Sequence, residues 1–291
     1  MDRRQLLTLL ALGTASACTR AVGTATPAPG PVPQPAPVPG QPVALPVLAP
    51  TQSPSADPTT AEPTYAPETV LPEPTGGPPR VISQLPEQAK LADCICLTID
   101  DGFNAETVAA YVQFATATGI HLTFNPNGMY GHVWEPHAYE LAPLIERGQV
   151  QIGNHTFHHK DVKKLSDHAI EEELETNEAW VQQTFGTTTR PWFRPPFGFR
   201  SERTDEVVAA LGWNNVLLWN GSFGDAAVLT KPVLMEQARK WLNAGTIMLG
   251  HANHPTVTHL YPQIVELLTE RGLTPVTLRE AFALDPRPGI H

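Results

Sequence analysis

The sequence predicts an α/β domain in which parallel strands are covered by helices, either wound open or closed as a barrel. Three observations carry this. Apolar runs of strand length alternate with helix-length periodic segments, glycines follow the helices, and the residues fit for chemistry fall just after the strands. Both arrangements put an active site beyond the strands' carboxyl ends.

Strands are expected at 94–99, 120–124, 150–153, 192–194, 215–219, 246–249 and 274–276. Helical patterns follow at 106–118, 137–147, 167–185, 202–211, 232–243, 262–271 and 278–284. Ser166 and Ser201 stand where N-caps belong, and Thr277 with Glu280 forms a capping-box pattern. Gly119, Gly148, Gly186, Gly212, Gly245 and Gly272 stand where helices should stop. Cys94 and Cys96 are two apart on one strand face, so they cannot bridge each other and read as small buried apolar residues.

What precedes the domain has a different composition. Residues 1–18 read as an export signal: Arg3 and Arg4, a Leu-rich run over 6–12, then Ala15-Ser16-Ala17 as a cleavage pattern. Arg3-Arg4-Gln5-Leu6-Leu7 resembles a twin-arginine signal, and Cys18 takes the place of the lipidated cysteine of bacterial lipoproteins. Of the 31 prolines in 291 residues, 18 lie in 19–80. That stretch is expected to be a disordered tether of polyproline II character, leaving 81–291 as the folded domain. The domain has 15 Lys/Arg against 24 Asp/Glu, which argues against a nucleic-acid partner because nothing basic is left to neutralise phosphates. A membrane enters only through the N-terminal lipid.

Four segments carry chemistry. Thr98-Ile99-Asp100-Asp101-Gly102 sets two carboxylates side by side at a strand end, where they need cations. His155 and His159 are spaced i, i+4, on one face if the segment is a helical turn. Two imidazoles and a carboxylate make an open zinc site. Thr156 stands where a zincin helix would carry Glu, which excludes that class. Arg194, in Phe193-Arg194-Pro195-Pro196-Phe197-Gly198, can hold an aspartate ionised, while the Phe197 backbone N–H can face an oxyanion. His251, after Leu249-Gly250, can protonate a leaving amine. His158 and His254 read as structural or solvent-facing.

In order, these segments resemble the motifs of the NodB-homology polysaccharide deacetylases (carbohydrate esterase family four) over about residues 90–280. Leu122-Thr123-Phe124-Asn125 and Gly153-Asn154-His155 are similar to strand ends of the same family. The resemblance implies a distorted (β/α) barrel of about seven strands. It implies a divalent ion, Zn²⁺ before Co²⁺ or Ni²⁺, held by Asp101, His155 and His159. It further implies Asp100 as general base, Arg194 as its partner, His251 as general acid and Asp225 as the residue orienting His251. Phe197, Leu249 and Trp219 would line the acetyl and oxyanion pocket. Two departures stand out: Asp225 is followed by Ala226 where the family has Trp, and His251 by Ala252-Asn253 where many relatives have Asp. The implied activity is hydrolysis of N-acetyl groups from an exported glycan substrate. An O-acetyl esterase acting on a xylan-like glycan and a non-catalytic glycan binder are the alternatives.

Overall fold

The computed structural model describes residues 77–283. The export signal, Cys18 and all but the end of the Pro-rich segment lie outside the described residues. In order the elements are β1 (Arg80–Ile82), α1 (Glu87–Leu91), β2 (Cys94–Asp101), α2 (Ala105–Thr118), β3 (Leu122–Pro126), α3 (Gly131–Trp134), α4 (Ala138–Glu146) and β4 (Val150–Ile152). There follow α5 (Asp167–Phe185), β5 (Trp192–Phe193), α6 (Glu202–Ala210), β6 (Asn215–Leu217), β7 (Gly221–Ser222), α7 (Lys231–Trp241), β8 (Ile247–His251), α8 (Tyr261–Glu270), β9 (Thr274–Pro275) and α9 (Leu278–Ala283).

Every recorded strand pairing is parallel. One sheet runs β4-β3-β2-β8-β7, with β9 on the start of β2; the other runs β1-β6-β5. A parallel bridge between Asn154 and Phe193 joins them on one side. On the other side the chain itself crosses, pairing with β1 and β5 at β6 and with β8 at β7. This ring of parallel strands is consistent with a distorted barrel.

All seven expected strands are present. The two further strands, β1 and β7, are three and two residues long. Such lengths carry no periodicity, and β1 directly follows the prolines. It opens at Arg80, one residue before the expected domain start, where the guanidinium Nε donates to Asn215 Oδ1 at 3.0 Å. Ser166 and Ser201 accept from the backbone of Ala169 and Thr204 as N-caps. Thr277 and Glu280 close their box reciprocally, at 2.7 and 3.3 Å. Gly119 and Gly186 end α2 and α5 in the left-handed region, at φ 70° and 67°, where a side chain would be strained.

Period-two alternation explains both the core and the placing of the site. On β2, Ile95, Leu97 and Ile99 join the large cluster formed with α2, α4 and α8. Cys94 and Cys96 face the other way, packing with Trp192, Leu217 and Ile247. That second column continues to Thr98 and Asp100 at the carboxyl end. The neighbouring strands repeat the pattern. Leu122 and Phe124 pack outward, leaving Asn125 in the inner column, and Phe193 packs outward between Trp192 and Arg194. Ile247 belongs to the inner cluster, and Leu249 and His251 continue its parity. The interior is thus apolar at the amino ends of the strands and polar at their carboxyl ends.

Candidate active site

Asp100 lies in register with Asn125 on β3 and His251 on β8, so three inward side chains sit abreast. Its Oδ1 accepts from Asn125 Nδ2 at 2.8 Å, and Arg194 Nη1 reaches Oδ2 at 2.9 Å and Oδ1 at 3.2 Å. Arg194 is fully buried and donates from Nη2 to Thr98 Oγ1 at 3.0 Å. Trp219 sits over the guanidinium, 5.4 Å from carbon to ring centroid. Burial lowers the Arg194 pKa from its usual value, opposed by the Asp100 charge.

Asp101 should by parity face away from Asp100, but its backbone turns at φ 67°. The turn is closed by Gly102, at φ 105°, where an added Cβ would lie 2.2 Å from the Trp134 indole nitrogen. That indole N–H donates to the Asp101 carbonyl at 3.0 Å. The carboxylate Oδ1 then stands 3.3 Å from Nε2 of both His155 and His159.

The histidine segment departs from expectation. It is a loop and not a helical turn, with Thr156 at φ 64° and His159 at φ 53°. Buried amides hold it in place of helical bonds. Asn127 Nδ2 donates to the carbonyls of His155 and Thr156 at 2.6 and 2.9 Å, and Asn154 Oδ1 accepts from Thr156 N at 3.0 Å. His158 is structural: its N–H and Nδ1 both meet Glu173 of α5.

Asp225 meets His251 twice, with Oδ1 2.9 Å from Nδ1 and Oδ2 accepting the backbone N–H at 3.1 Å. Burial lowers the His251 pKa, but the Asp225 hydrogen bond and charge outweigh it, and the net shift is upward. Leu249 is buried and in β-sheet register with Ser222. Phe197, at φ 60° and 58% exposed, stands edge-on to His159 with centroids 4.5 Å apart. Phe199 and Phe103, each about half exposed, flank this loop and the Asp101 turn.

Asp101, His155 and His159 form the one three-residue metal-capable group among the described residues. His155 Nδ1 donates to the Arg194 carbonyl at 2.7 Å, which leaves Nε2 as the lone-pair nitrogen facing Asp101. Asp101 Oδ1 is buried with no hydrogen-bond partner. Two imidazole nitrogens aimed at an orphaned carboxylate oxygen call for a cation. Metal–ligand lengths of 2.0–2.1 Å in a tetrahedron separate ligand atoms by about 3.3 Å. The two oxygen–nitrogen distances match that spacing, and the donor set fits a divalent ion. The electrostatics agree: burial would raise the Asp101 pKa, yet the facing imidazoles of His155 and His159 hold it well below the carboxylate range. Burial works against a charge on His155, but Asp100 and Asp101 raise its pKa overall. His159 is lowered to about 4 by burial and by the His155 charge.

Every candidate site residue named from the sequence among the described residues lies at this end of the strands. Thr98, Asn125, Asn127 and Asn253 belong to the site as well. Thr98 and Asn125 stood in segments the sequence singled out, and Asn253 stood as a departure from the family pattern; the sequence carried no signal for Asn127.

Fold and site together define an α/β protein with a two-histidine, one-carboxylate centre beside an Asp–Arg pair and an Asp–His pair. The family model for polysaccharide deacetylase matches residues 87–216. The chain is 28% identical over 213 residues to a chitin deacetylase of Arthroderma benhamiae, covering 69% of this chain and 54% of that one. It is 25% identical over 217 residues to the peptidoglycan-N-acetylglucosamine deacetylase of Bacillus cereus, covering 72% and 94%. The uncharacterized protein YlxY of Bacillus subtilis is 29% identical over 135 residues, 46% of this chain and 41% of its own length. The chain thus spans about half the length of some of its curated relatives. A deacetylase solved with substrate superposes at TM-score 0.57 and 28% identity, over 66% of this chain and 91% of that one. A pseudoenzyme of carbohydrate esterase family four from Bacillus anthracis gives TM-score 0.60 at 21% identity, over 71% and 69%. Over residues 87–216 the chain matches the polysaccharide deacetylase family, and the relatives and structures above are similar to it over its described domain.

Proposed function

We propose that this protein hydrolyses N-acetyl groups of an N-acetylglucosamine-containing glycan of the cell envelope or of chitin type, releasing acetate and leaving a glucosamine unit. The observation that carries the reading is the meeting of three units at one strand end: the Asp101/His155/His159 donors, the Asp100–Arg194 pair and the His251–Asp225 pair. Asp101, His155 and His159 would hold the ion. A divalent ion bound there supplies Lewis-acid polarisation of the acetamide carbonyl and eases deprotonation of water.

The remaining work belongs to side chains of the protein. Arg194 and Asn125 keep Asp100 ionised and fix its orientation, so that it takes the proton of the attacking water. The backbone N–H of Phe197 faces the oxygen on which negative charge grows. Asp225 holds the Nδ1 edge of His251, leaving Nε2 to protonate the departing nitrogen, and its charge favours the imidazolium form that must give up this proton. Leu249 and Trp219 wall the acetyl group. Half-exposed Phe103, Phe197 and Phe199 offer apolar faces to sugar C–H groups.

One similar structure is a pseudoenzyme. The presence here of both aspartates, both histidines, Arg194, and His251 with its Asp225 partner favours catalysis. Acetate release from N- and O-acetylated glycans, with and without a chelator, tests the reading. Chelator-sensitive release from N-acetylated chains alone is the expected result. Preference for acetylated xylan would make it an esterase, and no release from any glycan would refute hydrolysis. Export through residues 1–18 and anchoring at Cys18 complete the proposal.

A further inference from the structure

We propose that Asn253 is a positioning residue that selects the single carboxylate oxygen Asp101 offers to the metal. The inference rests on the metal-dependent reading above. The Asn253 side chain is buried, and both ends of its amide are committed. Nδ2 donates to Asp101 Oδ2 at 2.7 Å, and Oδ1 accepts from the Gly102 N–H at 3.2 Å. Turning the amide over would set oxygen against oxygen and N–H against N–H, so these contacts determine its orientation.

The consequence lies in what remains of the carboxylate. A buried aspartate with both oxygens free can chelate a cation through both. Here the amide engages Oδ2, and Oδ1, the oxygen without a hydrogen-bond partner, is the one that faces both imidazoles. The amide also closes the strained Asp101–Gly102 turn from outside, which sets where Oδ1 stands. It reaches that turn because the segment after β8 keeps pace with β2: the Ala252 N–H donates to the Asp100 carbonyl at 3.0 Å. One short segment therefore holds His251 and, two residues later, the clamp on the metal ligand. A neutral amide suits this place. A carboxylate at 253 would set two like charges within hydrogen-bond distance of each other.

Direct titration with Co²⁺, read by visible absorption and by competition with a chromophoric chelator, tests the assignment on the full chain. Asn253→Ala should weaken Co²⁺ binding about 10- to 100-fold, the usual effect of losing a ligand's hydrogen-bond partner. The d–d bands should also fall in intensity as Asp101 becomes free to use both oxygens and the coordination number rises. Asn253→Leu keeps the volume without the donor and should behave alike, so a packing defect in the alanine variant leaves the test intact. Binding within twofold of wild type with an unchanged spectrum in either folded variant overturns the role. A wild-type protein that takes up no Co²⁺ overturns the metal reading itself, and the role with it.

Discussion

Asp100 and Asp101 are adjacent, yet their surroundings assign them opposite work, and exchanging each for asparagine separates the two. In Asp100→Asn the amide oxygen can still accept from Asn125, and Arg194 keeps its bond to Thr98. What disappears is the negative charge and the ability to take a proton. General-base catalysis contributes about 10²–10⁴ in rate, which is about 3–5 kcal/mol of barrier. The same change breaks a buried ion pair, for which removal of one partner costs about 3–5 kcal/mol of stability. The thermal midpoint must therefore be followed alongside turnover. Metal content should stay stoichiometric, because the donors of Asp101, His155 and His159 are untouched. Asp101→Asn should behave differently. Its amide N–H₂ must point either at the Asn253 N–H₂ or at the two imidazole nitrogens, and both orientations spoil the site. Metal affinity should fall, and part of the activity should return in excess metal. Zinc by atomic absorption and acetate release decide the matter for both variants. An Asp100→Asn protein that loses metal while Asp101→Asn keeps it would reverse the roles, and two variants with metal and full activity would refute the mechanism.

Asp225→Asn removes the charge that raises the His251 pKa, so the alkaline limb of the rate profile should move to lower pH. The same raised pKa adds stability that is complete below the unfolded histidine value and fades as pH rises through the folded one. The stability gap between wild type and Asp225→Asn should therefore close at high pH in denaturant titrations, and a gap independent of pH would count against the pairing. Phe103→Ala and Phe199→Ala should each raise KM for N-acetylglucosamine oligomers by about two- to tenfold, the worth of one aromatic stacking contact. Neither should change hydrolysis of a small aryl acetate; an equal loss on both substrates would show a folding defect instead. Cys18→Ser should move the protein from the membrane fraction to the medium. A wild-type protein already fully released would remove the lipid anchor from the proposal and leave export standing.

The alternation of elements was legible in the sequence because each expected strand lies in an apolar run, even where the strand itself is two or three residues long, and most of the long helices begin or stop on a recognisable residue. The capping residues Ser166, Ser201 and Thr277 are local devices, and local devices are what a sequence displays. The Pro-rich segment and β7 hid what they contain for the opposite reason: β1 and β7 exist through their neighbours and have no pattern of their own. The site divided along the same line. Asp100, Arg194 and His251 follow from strand parity once the inner face is known. The geometry of His155 and His159 did not follow from their spacing, since it depends on Asn127 and Asn154, just beyond β3 and β4, and on Glu173 of α5. Asn253 showed only as a departure from the family pattern, because its role comes from a side-chain hydrogen bond to Asp101, 152 positions earlier.

Five residues other than glycine hold a left-handed backbone among the described residues, and four of them, Asp101, Thr156, His159 and Phe197, belong to the site. Each such conformation costs about 1–3 kcal/mol, supplied by the surrounding fold. A peptide spanning His155 to His159 would relax out of this shape and should bind metal as loosely as any flexible histidine pair. Transplanting the seven polar residues of the three units onto another barrel by position alone would fail in the same way. Stabilising redesign meets the same limit from the other side: glycine at Thr156 or His159 is at ease at positive φ and would relieve the strain, but at His159 it would also remove a metal-capable side chain.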